Sequence, residues 1–144
     1  MSCKKLGAVF LLAAALTGGL FISGAAQAQT ATRVFELRTY TAPEGKLDDL
    51  NARFRNQTMM LFKKHGMENI VYWNKTPDQK DARTTLVYLL AHKNDDAAKK
   101  SWAAFREDPD WKKAKADSEK NGSLTVENGV KSEFLVPTDY SPMK

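Results

Sequence analysis

The chain has 144 residues, 42% hydrophobic and 27% charged, with 7 Phe, 4 Tyr and 3 Trp. That balance supplies the core of one domain and excludes wholesale disorder, collagen-like chains and repeat arrays. One cysteine and two histidines exclude a disulfide framework, a cysteine-rich zinc site and a His-only metal site, and a formal charge of +5 points to anionic partners only if it belongs to the folded part.

Much of the charge and composition at the N-terminus belongs to another kind of segment. Two lysines within Met1–Lys5 precede an uncharged run from Leu6 to about Gly24, and Ala26-Gln27-Ala28 closes it. A positive start, an apolar middle and an Ala-x-Ala end predict a secretory signal peptide over residues 1–28, cut after Ala28. The competing reading is an uncleaved anchor, since the run approaches the length of a membrane span; Gly18, Gly19 and Gly24 favour removal. Losing 28 of the 144 residues leaves a domain of 116, residues 29–144, without Cys3 and with a net charge of +3. The expected location is periplasmic or secreted, with no stable membrane span after cleavage. The remaining charges are interspersed, and no basic stripe with interleaved aromatics marks a nucleic-acid partner.

Arg33 to Thr41 alternates as a first strand, with Phe35 and Leu37 on one face and Glu36, Arg38 and Tyr40 on the other. Lys46 to His65 reads as a helix, its stripe formed by Leu47, Leu50, Phe54, Leu61 and Phe62, and Gly66 supplies a left-handed cap. Asn69 to Lys75 is a second strand and Thr84 to His92 a third. Asn94 caps a second helix, in which Asp95 and Asp96 face Lys99 and Lys100 one turn on. Asp108-Pro109 restarts that helix in a new direction as far as about Lys120, and Asn121-Gly122 ends it. Val130 to Pro137 is the last strand. The order β-α-β-β-α-β, with the second helix split, is an α+β, ferredoxin-like plan: an antiparallel sheet with helices on one face.

In such a plan one sheet face meets water and its strands alternate. The third strand does not: Leu86-Val87-Tyr88-Leu89-Leu90-Ala91 is apolar on both faces. The expectation is a homodimer joined sheet to sheet. Glu36, Arg38 and Tyr40 are expected to line that covered face, with Glu36, Arg38 and Tyr88 as interface residues. Burying a carboxylate and a guanidinium requires that they pair, and positions 36 and 38 are neighbours on one face.

Phe35-Glu36-Leu37-Arg38-Thr39-Tyr40, Lys64-His65-Gly66 and Val71-Tyr72-Trp73 resemble the NIPSNAP family. So do Leu86-Val87-Tyr88-Leu89, the run from Trp102 to Arg106, Asp108-Pro109-Asp110-Trp111 and the closing Pro137-Thr138-Asp139-Tyr140-Ser141-Pro142. The resemblance covers about Arg33 to Pro142 and implies a dimeric α+β barrel. It implies no reaction, because that superfamily holds cofactor-independent monooxygenases, haem-degrading and chlorite-decomposing enzymes, and members without known activity.

For chemistry, Arg38 is the best anion anchor, and Tyr40, Tyr72, Tyr88 and Trp73 supply the mix of apolar walls and polar tips of a small-molecule pocket. His65 reads either as a general base or haem ligand, or as a helix-terminal residue favoured by the dipole. His92 reads as a loop-edge residue, and Trp102, Phe105 and Trp111 as packing around the helix bend. The ligand-binding candidates are thus Arg38, Tyr40, His65, Tyr72 and Trp73. No nucleophile–base set, phosphate loop or metal spacing is present, so no cofactor and no metal are expected. Two functions stay open: an exported dimer binding a small molecule, or a cofactor-independent enzyme of monooxygenase or isomerase type using Arg38, Tyr40 and His65 around one cavity.

Overall fold

The computed structural model describes residues 33–144, so the expected signal peptide lies outside the described residues. The elements follow the expected order: β1 (Val34–Thr41), α1 (Leu47–Arg53), a π turn (Phe54–Thr58), α2 (Met59–Lys64), β2 (Glu68–Asn74), β3 (Thr85–His92), α3 (Asp95–Glu107), α4 (Pro109–Ser118) and β4 (Val130–Leu135). The strands form one sheet in the order β2-β3-β1-β4, and every neighbouring pair is antiparallel.

Local chemistry accounts for most of the boundaries. Gly66 sits at φ 76°, while Gly66 N–H donates to Lys63 O and Met67 N–H to Phe62 O, the paired bonds of a Schellman end. Asn94 Oδ1 accepts from Ala97 N at 2.8 Å and starts α3. Asp108 Oδ1 accepts from Asp110 N at 2.7 Å, with Pro109 opening α4, so the helix turns where a capping residue and a proline meet. The one ion pair between these acids and lysines on α3 joins Asp96 and Lys99 at 3.8 Å, one residue closer than the expected spacing.

The helix expected over Lys46–His65 is not uniform. At the π turn Met59 N–H reaches back five residues to Phe54 O, and the buried Thr58 hydroxyl donates to Arg53 O at 3.3 Å. One extra residue in the turn is accommodated because a side chain helps satisfy the backbone there.

The sheet's orientation corrects the sequence reading. Leu86, Tyr88 and Leu90, all 2% exposed or less, pack under the helices with Leu50, Phe54, Phe62 and Trp102. Register places Glu36 opposite Leu90, Arg38 opposite Tyr88 and Tyr40 opposite Leu86, and directly opposed residues share a face. Glu36, Arg38, Tyr40 and Tyr88 therefore face the helices, and none of them lies on the open sheet face as expected. The open face carries Leu37, Val71, Val87 and Leu89, half-buried, and Trp73, 49% exposed. Phe35 also lies on that face yet is buried, with the Arg33 guanidinium 5.4 Å from its ring centre. The polar side of β1 turned inward where the interior supplies hydrogen bonds to the Glu36 carboxylate.

Candidate functional site

Glu36 is the centre of that interior. Its carboxylate is 1% exposed and accepts four hydrogen bonds from four elements. Arg38 Nη1 of β1 donates to Oε1 at 2.6 Å, and Ser132 Oγ of β4 at 2.5 Å. Trp102 Nε1 of α3 donates to Oε2 at 2.6 Å, and His92 Nε2 at the end of β3 lies 2.9 Å from the same oxygen. An ionised carboxylate only accepts, so His92 Nε2 carries the hydrogen. The Arg38 guanidinium also lies 4.2 Å from the Trp102 ring centre, a cation–π contact in a desolvated setting. Burial pushes the Glu36 carboxyl up, but the bonds from His92, Ser132 and Trp102 and the charge of Arg38 outweigh it and hold the group at about 2.

Beside this network stand the aromatic residues. Tyr72 stacks on Tyr88 with ring centres 5.2 Å apart, and Tyr40 meets Phe54 and Tyr88 at 5.6 and 5.4 Å. Tyr72 donates to Asn69 Oδ1 at 2.5 Å, and Asn69 in turn donates to Met59 O at 2.9 Å. Burial pushes the hydroxyls of Tyr72 and Tyr88 above their ordinary range, so both stay protonated donors. Three buried polar atoms around the network have no partner among the described residues: Arg38 Nε, Tyr88 Oη and His92 Nδ1. Arg38 and Tyr88 are direct cross-strand neighbours, so two of these unused donors belong to adjacent residues.

The remaining candidates lie elsewhere. His65 Nε2 is 2.5 Å from Asp108 Oδ2, which Lys64 Nζ also approaches at 2.8 Å, tying the end of α2 to the cap of α4. The Lys64 hydrogen bond, then that of His65, holds the Asp108 carboxyl well below the usual range. Contacts from Arg38 to His65 run through the rings of Trp102 and Phe105, so the two do not share a site. Trp73 is on the open sheet face. The structure thus brings together Arg38, Tyr40 and Tyr72, and separates His65 and Trp73 from them.

It also adds His92, Trp102 and Ser132, which sequence reasoning treated as edge, packing and strand residues. Parity along β3 carried a signal for His92, because Tyr88, Leu90 and His92 alternate onto one face. Nothing local signalled Ser132, which is 96 residues from Glu36. Among the described residues no group of three or more His, Cys, Asp or Glu is placed to hold a metal ion.

The NIPSNAP family model matches residues 35–142, the span that carries β1 through β4. The chain belongs to the NIPSNAP family. Among curated proteins none matches this NIPSNAP chain in sequence. Among solved structures, a NIPSNAP family protein of unknown function from Agrobacterium tumefaciens is similar at a TM-score of 0.66 and 18% identity, over 79% of this chain and 96% of that one. A NIPSNAP-like domain protein from Burkholderia xenovorans is similar at 0.65 and 15%, over 78% and 90%. A monooxygenase of Streptomyces coelicolor, solved in complex with nanaomycin D, is similar at 0.54 and 13%, over 77% and 92%. At these identities the likeness establishes the fold alone.

Proposed function

We propose that this NIPSNAP protein is exported, pairs with a second copy through the open sheet face, and binds a small organic molecule between sheet and helices. The observation that carries the binding reading is the adjacent pair of unpartnered buried donors, Arg38 Nε and Tyr88 Oη, among the rings of Tyr40, Tyr72 and Phe54. A buried donor without an acceptor costs about 1–3 kcal/mol, and a ligand oxygen placed there recovers it. The dimer reading rests on Val87, Leu89, Val71 and Trp73, an apolar band on the sheet face turned away from the helices among the described residues.

Native mass spectrometry of the protein isolated from its own cells tests the binding reading. The expected spectrum shows a retained non-covalent small molecule, lost in Tyr88→Phe and in Arg38→Ala. A wild-type protein that is always empty, or retention unchanged in both variants, overturns it.

One observation favours the enzyme reading as the alternative. His92 is oriented by Glu36 through Nε2, and its buried Nδ1 has no partner, the arrangement of a base held by a carboxylate. A cofactor-independent enzyme of monooxygenase or isomerase type would use His92, rather than His65, beside Arg38. On that reading the retained molecule is chemically altered during aerobic incubation with the wild type and unaltered with His92→Gln.

A further inference from the structure

A second site lies on the outer side of the helix layer, away from both the Glu36 network and the open sheet face. Between the π turn and α4 runs a cleft of about 360 Å³, within the range of small-ligand pockets (roughly 300–1,000 Å³). π turns within helices recur at functional sites, and this one presents Asn56 and Gln57 to the cleft. Neither side-chain amide makes a hydrogen bond among the described residues, nor does that of Asn121 across the cleft.

The second observation is a buried one. Arg53, also lining the cleft, has its side chain 3% exposed; Nη1 donates to Glu119 at 2.7 Å, while Nε has no partner among the described residues. A buried donor left unused on a residue that lines the cleft favours a ligand acceptor there.

Charge decides the class of that ligand. Lys46 pairs with Asp49, Arg53 with Glu119, and Asp117 with both Lys113 and Lys120. Each charge at the cleft is already matched by a neighbour, so an anionic or cationic ligand would enter without a free counter-charge. The uncommitted groups are the three amides, and an amide both donates and accepts. A hydroxyl does the same. The methyl groups of Ala52 and Ala114 add an apolar patch suited to the C–H face of a sugar ring. We infer that this cleft is a binding site for a neutral polyhydroxylated molecule, a monosaccharide or polyol. The site is independent of the interior site proposed above.

Titrating the ¹⁵N-labelled protein with D-glucose and with sorbitol, while following side-chain amide resonances, tests this. The expected result is saturable shifts of the Asn56, Gln57 and Asn121 amides at millimolar concentration, absent with sodium acetate or tetramethylammonium chloride. Asn56→Ala combined with Gln57→Ala, at exposed and half-buried positions, is expected to weaken the shift of Asn121 at least about tenfold. Lys99→Ala, at an exposed position on α3, is expected to leave it unchanged. Absence of saturable shifts up to about 100 mM of either probe, equal shifts with acetate, or full binding by the double variant each overturns the assignment.

Discussion

At the scale of single residues, Glu36 sets the strongest constraint. Its carboxyl is held at about 2 against an ordinary 4.5, so its ionised form stabilises the fold above pH 4.5, and that contribution is lost as pH falls through 2. The shift corresponds to about 3 kcal/mol, to be read as a falling urea midpoint between pH 5 and pH 2 that is flat between pH 5 and pH 7. Glu36→Gln leaves Arg38 buried without its counter-charge and is expected to cost about 3–5 kcal/mol in urea unfolding at pH 7. It should also flatten the acid limb. Tyr88→Phe removes an unpartnered hydroxyl and keeps the ring, so the empty protein is expected to lose no stability. Gly129 answers to sterics: a Cβ there would lie 2.6 Å from the Val126 side chain and 2.8 Å from Thr41 O. The carbonyl belongs to the pairing of Thr41 with the 126–129 loop, where Val126 N–H donates to it at 2.9 Å. Gly129→Ala is expected to cost about 1–3 kcal/mol, measured by chemical unfolding.

At the scale of elements, the caps and turns were the most legible part of the sequence. Asn94, Gly66 and Asp108-Pro109 act where their types predict, because a cap is a contact between near neighbours in the chain. Asp108 does more than cap. It receives His65 and Lys64 from α2, so the split in the second helix is also the clamp to the first. Asp108→Ser keeps an acceptor for Asp110 N but loses the Lys64 ion pair and the carboxylate contact to His65. The expected outcome is a thermal midpoint between those of wild type and Asp108→Ala, with the gap to wild type narrowing as salt is added. The π turn was not legible: Phe54 to Thr58 fits the helical stripe, and the bond that helps open the turn there, Thr58 hydroxyl to Arg53 carbonyl, depends on both being buried.

At the scale of the whole molecule, the open sheet face is the unfinished surface. Val87 and Leu89 of β3 stand there beside Leu37 of β1 and Val71 and Trp73 of β2, an apolar band that a second sheet would cover. Wild-type protein is expected to sediment as a dimer at micromolar concentration, and Leu89→Lys as a monomer with unchanged circular dichroism. A wild-type monomer would remove the dimer while leaving the interior network intact, since Glu36 and its four donors lie within one chain. The candidate site was only partly legible for the same reason of scale. Arg38, Tyr40 and Tyr72 were found by residue type, but His92, Trp102 and Ser132 reach Glu36 from 56, 66 and 96 residues away.

The sequence by itself determined the element order, the capped ends, the family and the pairing of Glu36 with Arg38, which are one side-chain period apart on a strand. Only the tertiary structure decided which face of β1 is covered by helices. A period of two separates the faces without saying which one is buried, and the apolar face normally wins. Here the polar face is buried because the distant donors satisfy its carboxylate, and a hydrogen-bonded carboxylate paired with a guanidinium no longer has to remain in water.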